Sequence, residues 1–152
     1  MSATHVAPVA PAPTTMATTI RRIDFFHTSV QDQPGQAFKV LSALATEGVN
    51  LLAFSAVPVG ANRTQLTLFP ESTTALQTAA AKAGMALDGP HSALIVQGDD
   101  ELGALAGVHE QLYEAGVNVF ASSGVTDGRG SFGYVIHVRP DQYERAAKAL
   151  GL

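Results

Sequence analysis

Pro34-Gly35-x4-Val40-x3-Leu44-x3-Gly48-Val49-Asn50 is the stretch that decides the fold. Sixty-eight residues later the chain repeats it as Leu102-Gly103-x4-Val108-x3-Leu112-x3-Gly116-Val117-Asn118. The register continues without a gap, so that Ala53, Ser55, Val57 and Gly60 meet Ala121, Ser123, Val125 and Gly128. Ten of the 27 positions from Pro34 to Gly60 are identical, too many for chance in a stretch of mixed composition. One small unit is used twice, and the repeat governs the reading of the whole chain.

Within the first unit, Ile23, Phe25 and His27 alternate with Asp24, Phe26 and Thr28, a strand pattern that sends Phe25 and Phe26 to opposite faces. Pro34 suits the first position of a helix, where its missing N–H is no loss. Ala37, Val40, Leu41, Leu44 and Ala45 then recur at helical spacing, and Gly48 closes the helix as a left-handed cap. Val49 to Val57 reads as a strand, Pro58 to Asn62 as a turn, and Arg63 to Phe69 as the next strand. Ser72 or Thr73 caps a second helix, with Leu76, Ala79, Ala80 and Ala83 on its inner face and Lys82 near its negative end. Met85 to Leu87 reads as a short fourth strand and Asp88-Gly89-Pro90 as a linker.

The second unit repeats the order. Ala93 to Val96 is a strand, Gly98 to Glu101 a loop, Leu102 to Ala115 a helix closed by Gly116, and Val117 to Val125 a strand. Thr126 to Gly130 turns a hairpin into a strand with Phe132, Tyr134, Ile136 and Val138 on one face, and Asp141 to Leu150 is the last helix. A fourth strand here has room only if Gly151-Leu152 begins one. The order βαββα(β), twice, is an α+β architecture: antiparallel sheets with helices on one face, the bare face covered by the other unit or by a partner chain. The expected boundaries are 1–19 for a disordered Ala/Pro/Thr-rich tail, 20–87 for the first domain and 91–152 for the second.

Composition narrows the function. A lone unit of roughly 60 residues buries only about 60% of its unfolded surface, so the two units are expected to pack on each other or on a second chain. Charged residues make up only 14% of the chain, which also points to association. The net charge is −4 and the cations are scattered, so the electrostatic footprint of a nucleic-acid binder is missing. No apolar run approaches the roughly 20 residues of a membrane span. The absence of cysteine removes disulfides, thiolate metal sites and a Cys nucleophile.

The Pro-Gly turn before the first helix and Gly-Val-Asn at the next strand, set in this element order, resemble the ACT domain, a ferredoxin-like unit. The resemblance covers 20–152 and is closest to free-standing tandem ACT proteins without a catalytic domain. It implies two βαββαβ repeats in a non-catalytic, cytoplasmic, homodimeric regulator that binds an amino acid and needs no cofactor. It further implies an enzyme or regulator as partner, and neither nucleic acid nor membrane. In the family an amino acid sits where the first strand–helix loop of one unit faces the second-strand start of another. Carried over by position, the first set is Gln33, Pro34, Gly35 and Gln36 with Asn50, Leu51 and Leu52. The second is Glu101, Leu102, Gly103 and Ala104 with Asn118, Val119 and Phe120. Leu102 departs from the pattern where Pro34 keeps it, which makes the second turn less rigid.

Each of these residues also has a structural reading. Gly35 and Gly103 permit close approach of a ligand, or merely of helix to sheet. Asn50 and Asn118 can reach an amino or carboxylate group, or cap the preceding turn. Asp99, Asp100 and Glu101 form a carboxylate cluster that reads better as a helix cap than as a metal or ammonium site. His5, His27, His91, His109 and His137 contain no pair at ligand spacing, so no metal site is expected. Ser122-Ser123-Gly124 lacks a nucleophile elbow and reads as strand and turn, and Gly128-Arg129-Gly130 as a hairpin tip. Leu51, Leu52, Phe54 and Phe120 favour a branched or aromatic amino acid. Two other classes stay open: a ligand-free dimerisation or docking module, and an enzyme on the same scaffold, since one fold hosts many functions.

Overall fold

The computed structural model describes residues 18–152. The tail expected over 1–19, with His5 in it, lies outside the described residues except at its end, where Thr19 already opens a strand. The elements run β1 (Thr19–Gln31), α1 (Gln36–Thr46), β2 (Leu51–Pro58), β3 (Arg63–Pro70), α2 (Thr73–Ala83), β4 (Asp88–Asp99), α3 (Ala104–Glu114), β5 (Val119–Thr126), β6 (Ser131–Val138), a 3-10 turn Pro140–Gln142 and α4 (Tyr143–Ala149). Helices α1 and α3, strands β2 and β5, and strands β3 and β6 start and stop at an offset of 68 residues, so the sequence repeat is a repeat of structure.

All six strands form one antiparallel sheet in the order β2-β3-β1-β4-β6-β5. The two halves join through β1 and β4, in register from Thr19 opposite Gln97 to Phe25 opposite His91. A ferredoxin-like unit has a fourth strand beside its first. Here that place, in each half, is taken by the first strand of the other half. The expected strand at Met85–Leu87 is therefore absent, and Gly151-Leu152 begins none. Asp88-Gly89-Pro90, expected as a linker, is the start of β4.

The helices lie on one face. Along β1, Ile20 packs with the cluster under α3 and α4, Arg22 pairs with Glu144 of α4, Asp24 accepts from Thr73 of α2, and Phe26 packs under α1 and α2. These are alternate residues and so share a face. Two separate cores result. Phe26, Leu44, Leu68, Leu76 and Ala79 make one; Leu94, Val108, Leu112, Ile136 and Ala146 are central to the other, which also takes in Phe132, Tyr134 and Val138 as the alternation predicts. Each fully buried Phe or Leu contributes about 1.5–3 kcal/mol. Ser72, not Thr73, caps α2, accepting from the Ala75 N–H at 3.2 Å. Ala83, expected on the inner face of α2, is exposed.

The opposite face carries no helix, yet it is not bare. Ile23, Phe69, Ala93, Ile95 and Val135 are buried on it, with Phe25, Leu52 and Ala53 packed against them. Leu52 comes from one edge strand and shares a hollow with Gln97, Val125 and Gly133 from the far side of the sheet. The sheet curls until this face closes on itself, so neither a stacked second unit nor a partner chain is needed to bury these residues. Among the described residues, no helix is long and apolar enough to cross a membrane.

Candidate functional site

The two glycine loops have the same backbone. Gly35 (φ 86°, ψ −6°) and Gly103 (φ 81°, ψ 6°) are left-handed N-caps of α1 and α3. Only glycine adopts this conformation without strain, which is why both positions keep it. Each loop is tied to the neighbouring hairpin by one backbone bond, Asp32 N–H to Asn62 O at 2.9 Å and Asp100 N–H to Gly130 O at 2.8 Å. Pro34 precedes the cap and is not the first helical residue. No side chain caps either helix, so Asp99, Asp100 and Glu101 are not the cap expected of them. Uncapped N–H groups at a helix start favour an anion. Gln33, Pro34 and Gly35 are exposed, Gln36 is half-buried, and Leu102 stands fully in solvent. Glu101, Leu102, Gly103 and Ala104 line a hollow of about 610 Å³ with the end of β5 and the start of β6. Gln33 lines a smaller one with Asp32, Asn62 and Arg63.

The second members of each set lie elsewhere. Asn50 and Asn118 precede β2 and β5, whereas the loops sit by the opposite ends of those strands. Eight residues of strand separate the two, roughly 25 Å at about 3.3 Å per residue. Asn50 donates its side-chain amide to the Glu71 carboxylate at 2.9 Å and accepts from the Glu71 N–H with its backbone carbonyl, so its side chain ties β2 to the end of β3 and does not cap the preceding turn. Asn118 donates its backbone N–H to Gln142 at 3.1 Å. Leu51 and Val119 pack into the helix-side cores. Leu52 and Phe120 are the extra residues of two matching β-bulges, which turn them to the curled face.

On that face, beside Phe120, the sheet assembles a group that spacing along the chain does not reveal. His27 (β1), His91 (β4) and His137 (β6) surround Phe25, with ring centroids 5.3, 5.2 and 5.0 Å from it. They line a cavity of about 530 Å³ together with Phe120 and Tyr143. The amide nitrogen of Gln65 can only donate, so its 2.8 Å contact makes Nδ1 of His27 an acceptor and puts the ring proton on Nε2. Thr67 Oγ1 lies 3.0 Å from the same Nδ1. His91 Nε2 stands 3.1 Å from Asp88 Oδ2, and His137 has no hydrogen-bond partner among the described residues. Burial, and then the charge of His91, holds the His27 pKa below its ordinary value. Burial, and then the charge of His27, does the same to His137. Among the described residues, no group of three or more His, Asp or Glu is arranged to hold a metal ion. The repeat relates the three positions to Ile23, Ile95 and Phe69, but only the sheet shows that either set meets.

No family model matches the chain, and no curated protein matches it. Solved structures do. The chain is similar to protein BT0572 from Bacteroides thetaiotaomicron, at 17% identity over 88% of each chain with a TM-score of 0.72. It is also similar to the regulatory subunit of aspartate kinase from Thermus thermophilus in its ligand-free form, at 20% identity over 90% of this chain and 95% of that one, TM-score 0.56. The Thermus flavus regulatory subunit matches at 20% identity with the same coverage and a TM-score of 0.55. At these identities the likeness is one of fold.

Proposed function

We propose that the chain is a non-catalytic regulatory module of two ACT-type units, 20–87 and 91–152, that binds an amino acid between units. The observation that carries this reading is the matched pair of glycine loops, with the same left-handed cap, the same tether to the hairpin and no side-chain cap on the helix. A ligand carboxylate meets the N–H groups of the second and third helical residues, the first being taken by the Gln33 or Glu101 carbonyl, as helix termini favour. The fold shared with aspartate kinase regulatory subunits supports a regulatory role. Because loop and asparagine lie at opposite strand ends, a complete site takes its loop from one chain and its Asn50 or Asn118 from a second. The active species is then a homodimer, and the ligand acts by favouring one arrangement of the two chains.

A thermal-shift screen against the twenty amino acids, with nucleotides as controls, tests this. A ligand at 100 times its Kd adds roughly 2.7 kcal/mol, about 5–10 °C for a chain of this size. Gly35→Asn and Gly103→Asn keep the left-handed backbone but add a side chain over the loop, and are expected to abolish the shift. If both variants respond as the parent does, the loops are not the site.

A second reading rests on the exposed apolar side chains Phe38, Leu102, Tyr113 and Val125. Such a surface suits a ligand-free dimerisation or docking module. A constant mass in light scattering, with no amino acid bound, favours it.

A further inference from the structure

The repeat relates two patches on the curled face, and they differ in one consistent way. On one side stand Ile23, Ile95, Phe69 and Leu52, which with Ala93 form an apolar cluster. Their counterparts 68 residues away are His91, His27, His137 and Phe120, with Phe25 the counterpart of Ala93. The partners of His27 change in step, because Gln65 and Thr67 correspond to Gly133 and Val135. The first patch is packed at Ile23, Phe69, Ala93 and Ile95, with a hollow beginning beside Leu52. The second lines a half-open cavity of about 530 Å³, within the usual range for a small-molecule site. The first patch shows that the fold closes with Ile, Ile and Phe at these positions, so folding does not require the three histidines.

We propose that this cavity binds a small planar aromatic acid, its ring against Phe25 and Phe120 and its carboxylate hydrogen-bonded to His27 and His137. Phe25 and the three imidazoles already pack edge-to-face or tilted at 5.0–5.5 Å, the spacing at which aromatic rings attract. Phe120 lies at the mouth, 61% exposed and 6.2 Å from His137, with apolar surface to cover. His27 offers Nε2–H, and His137 offers both nitrogens. The charged and titratable groups facing them are Asp88, in contact with His91; Tyr143, whose hydroxyl donates to Ala93 O; and Arg63, which lines the adjoining hollow beside His27. Burial, and then a neighbouring imidazole, disfavours the charged forms of His27 and His137, and an anion beside them opposes that effect. Binding therefore takes up a proton and weakens as pH rises. The site shares no residue with the glycine loops, and of the residues carried over for amino-acid binding it includes only Phe120.

The test follows the imidazole signals by NMR during titration with benzoate, with benzyl alcohol as an uncharged aromatic analogue. Benzoate is expected to move His27 and His137, to bind about tenfold more tightly than benzyl alcohol, and to weaken between pH 6 and pH 8. His137→Phe installs the residue of the first patch, and His27→Gln keeps a partner for Thr67. Each variant is expected to fold, as judged by circular dichroism, and to lose about tenfold or more in benzoate affinity. Imidazole signals unmoved at about 10 mM benzoate, equal binding of benzyl alcohol, or parental affinity in both variants overturns the proposal. Amino-acid binding at the loops, measured through Gly35→Asn and Gly103→Asn, is expected to be unaffected by His137→Phe, so failure of one site leaves the other standing.

Discussion

His137 and Phe69 are repeat counterparts that touch, their ring centroids 5.8 Å apart and their planes at 60°. Strands β1 and β4 lie between the strands that carry them, so the two would be about 14 Å apart across a flat sheet. Only strong curling brings them together. Phe69 is 3% exposed, while His137 is half-buried, and burial holds the pKa of its imidazole below the ordinary value.

From this contact we expect His137→Phe to stabilise the chain at pH 7 by on the order of 1 kcal/mol, as apolar surface replaces a poorly hydrated polar ring. In calorimetry that is a rise in Tm of about 2–4 °C. A fall would mean that the second patch has no room for the larger ring.

Stability is expected to decline as pH falls below about 6.5. The unfolded chain protonates its histidines near 6.5, whereas folded His27 and His137 do so at lower pH. In between, the unfolded state binds more protons and is favoured. Above 6.5 both states are neutral at these residues and the contribution is flat. Asp127, held low by the N–H groups of Arg129 and Ser131, adds its own loss only in the carboxylate range. Urea midpoints at pH 7.5 and 5.5 check this, and His137→Phe should shrink the difference.

Leu102→Pro should stabilise the second loop by about 0.4–1 kcal/mol. Pro34 occupies the same place in a loop of matching geometry, so proline is tolerated there and restricts the unfolded chain. The same change removes a fully exposed leucine. Chemical denaturation reads the gain as a higher midpoint at an unchanged slope.

Phe26→Ala and Leu94→Ala truncate counterpart residues in the two separate cores. Each is expected to cost about 2–5 kcal/mol. Because β1 and β4 pair along most of their length, either change should lower one shared unfolding transition. Two resolved transitions in calorimetry would show that the halves unfold independently.

Much of this fold is legible in the sequence because it is local. The spacing of Val40, Leu44, Val108 and Leu112 and the closing glycines Gly48 and Gly116 place α1 and α3 to within two residues. Alternation from Phe132 to Val138 places β6 and its buried face. What failed was non-local. Gly89-Pro90 has the composition of a break, yet it lies in a strand because β1 from the other half pairs there. The three histidines lie on three strands that only the sheet brings together, so no spacing rule could find them. The loop residues were legible as a motif, but their distance from Asn50 and Asn118 depends on which strand ends meet.

The lending of β1 and β4 between halves resembles the way two identical subunits would associate about a twofold axis. In such a pair, both patches on the curled face would have to carry the same side chains. Joining the halves in one chain removes that requirement. One patch can keep isoleucine and phenylalanine and hold the molecule together, while the other is free to collect imidazoles and leave a cavity. Covalent linkage has thus divided the labour of anchoring and recognition between two surfaces that symmetry would have kept alike.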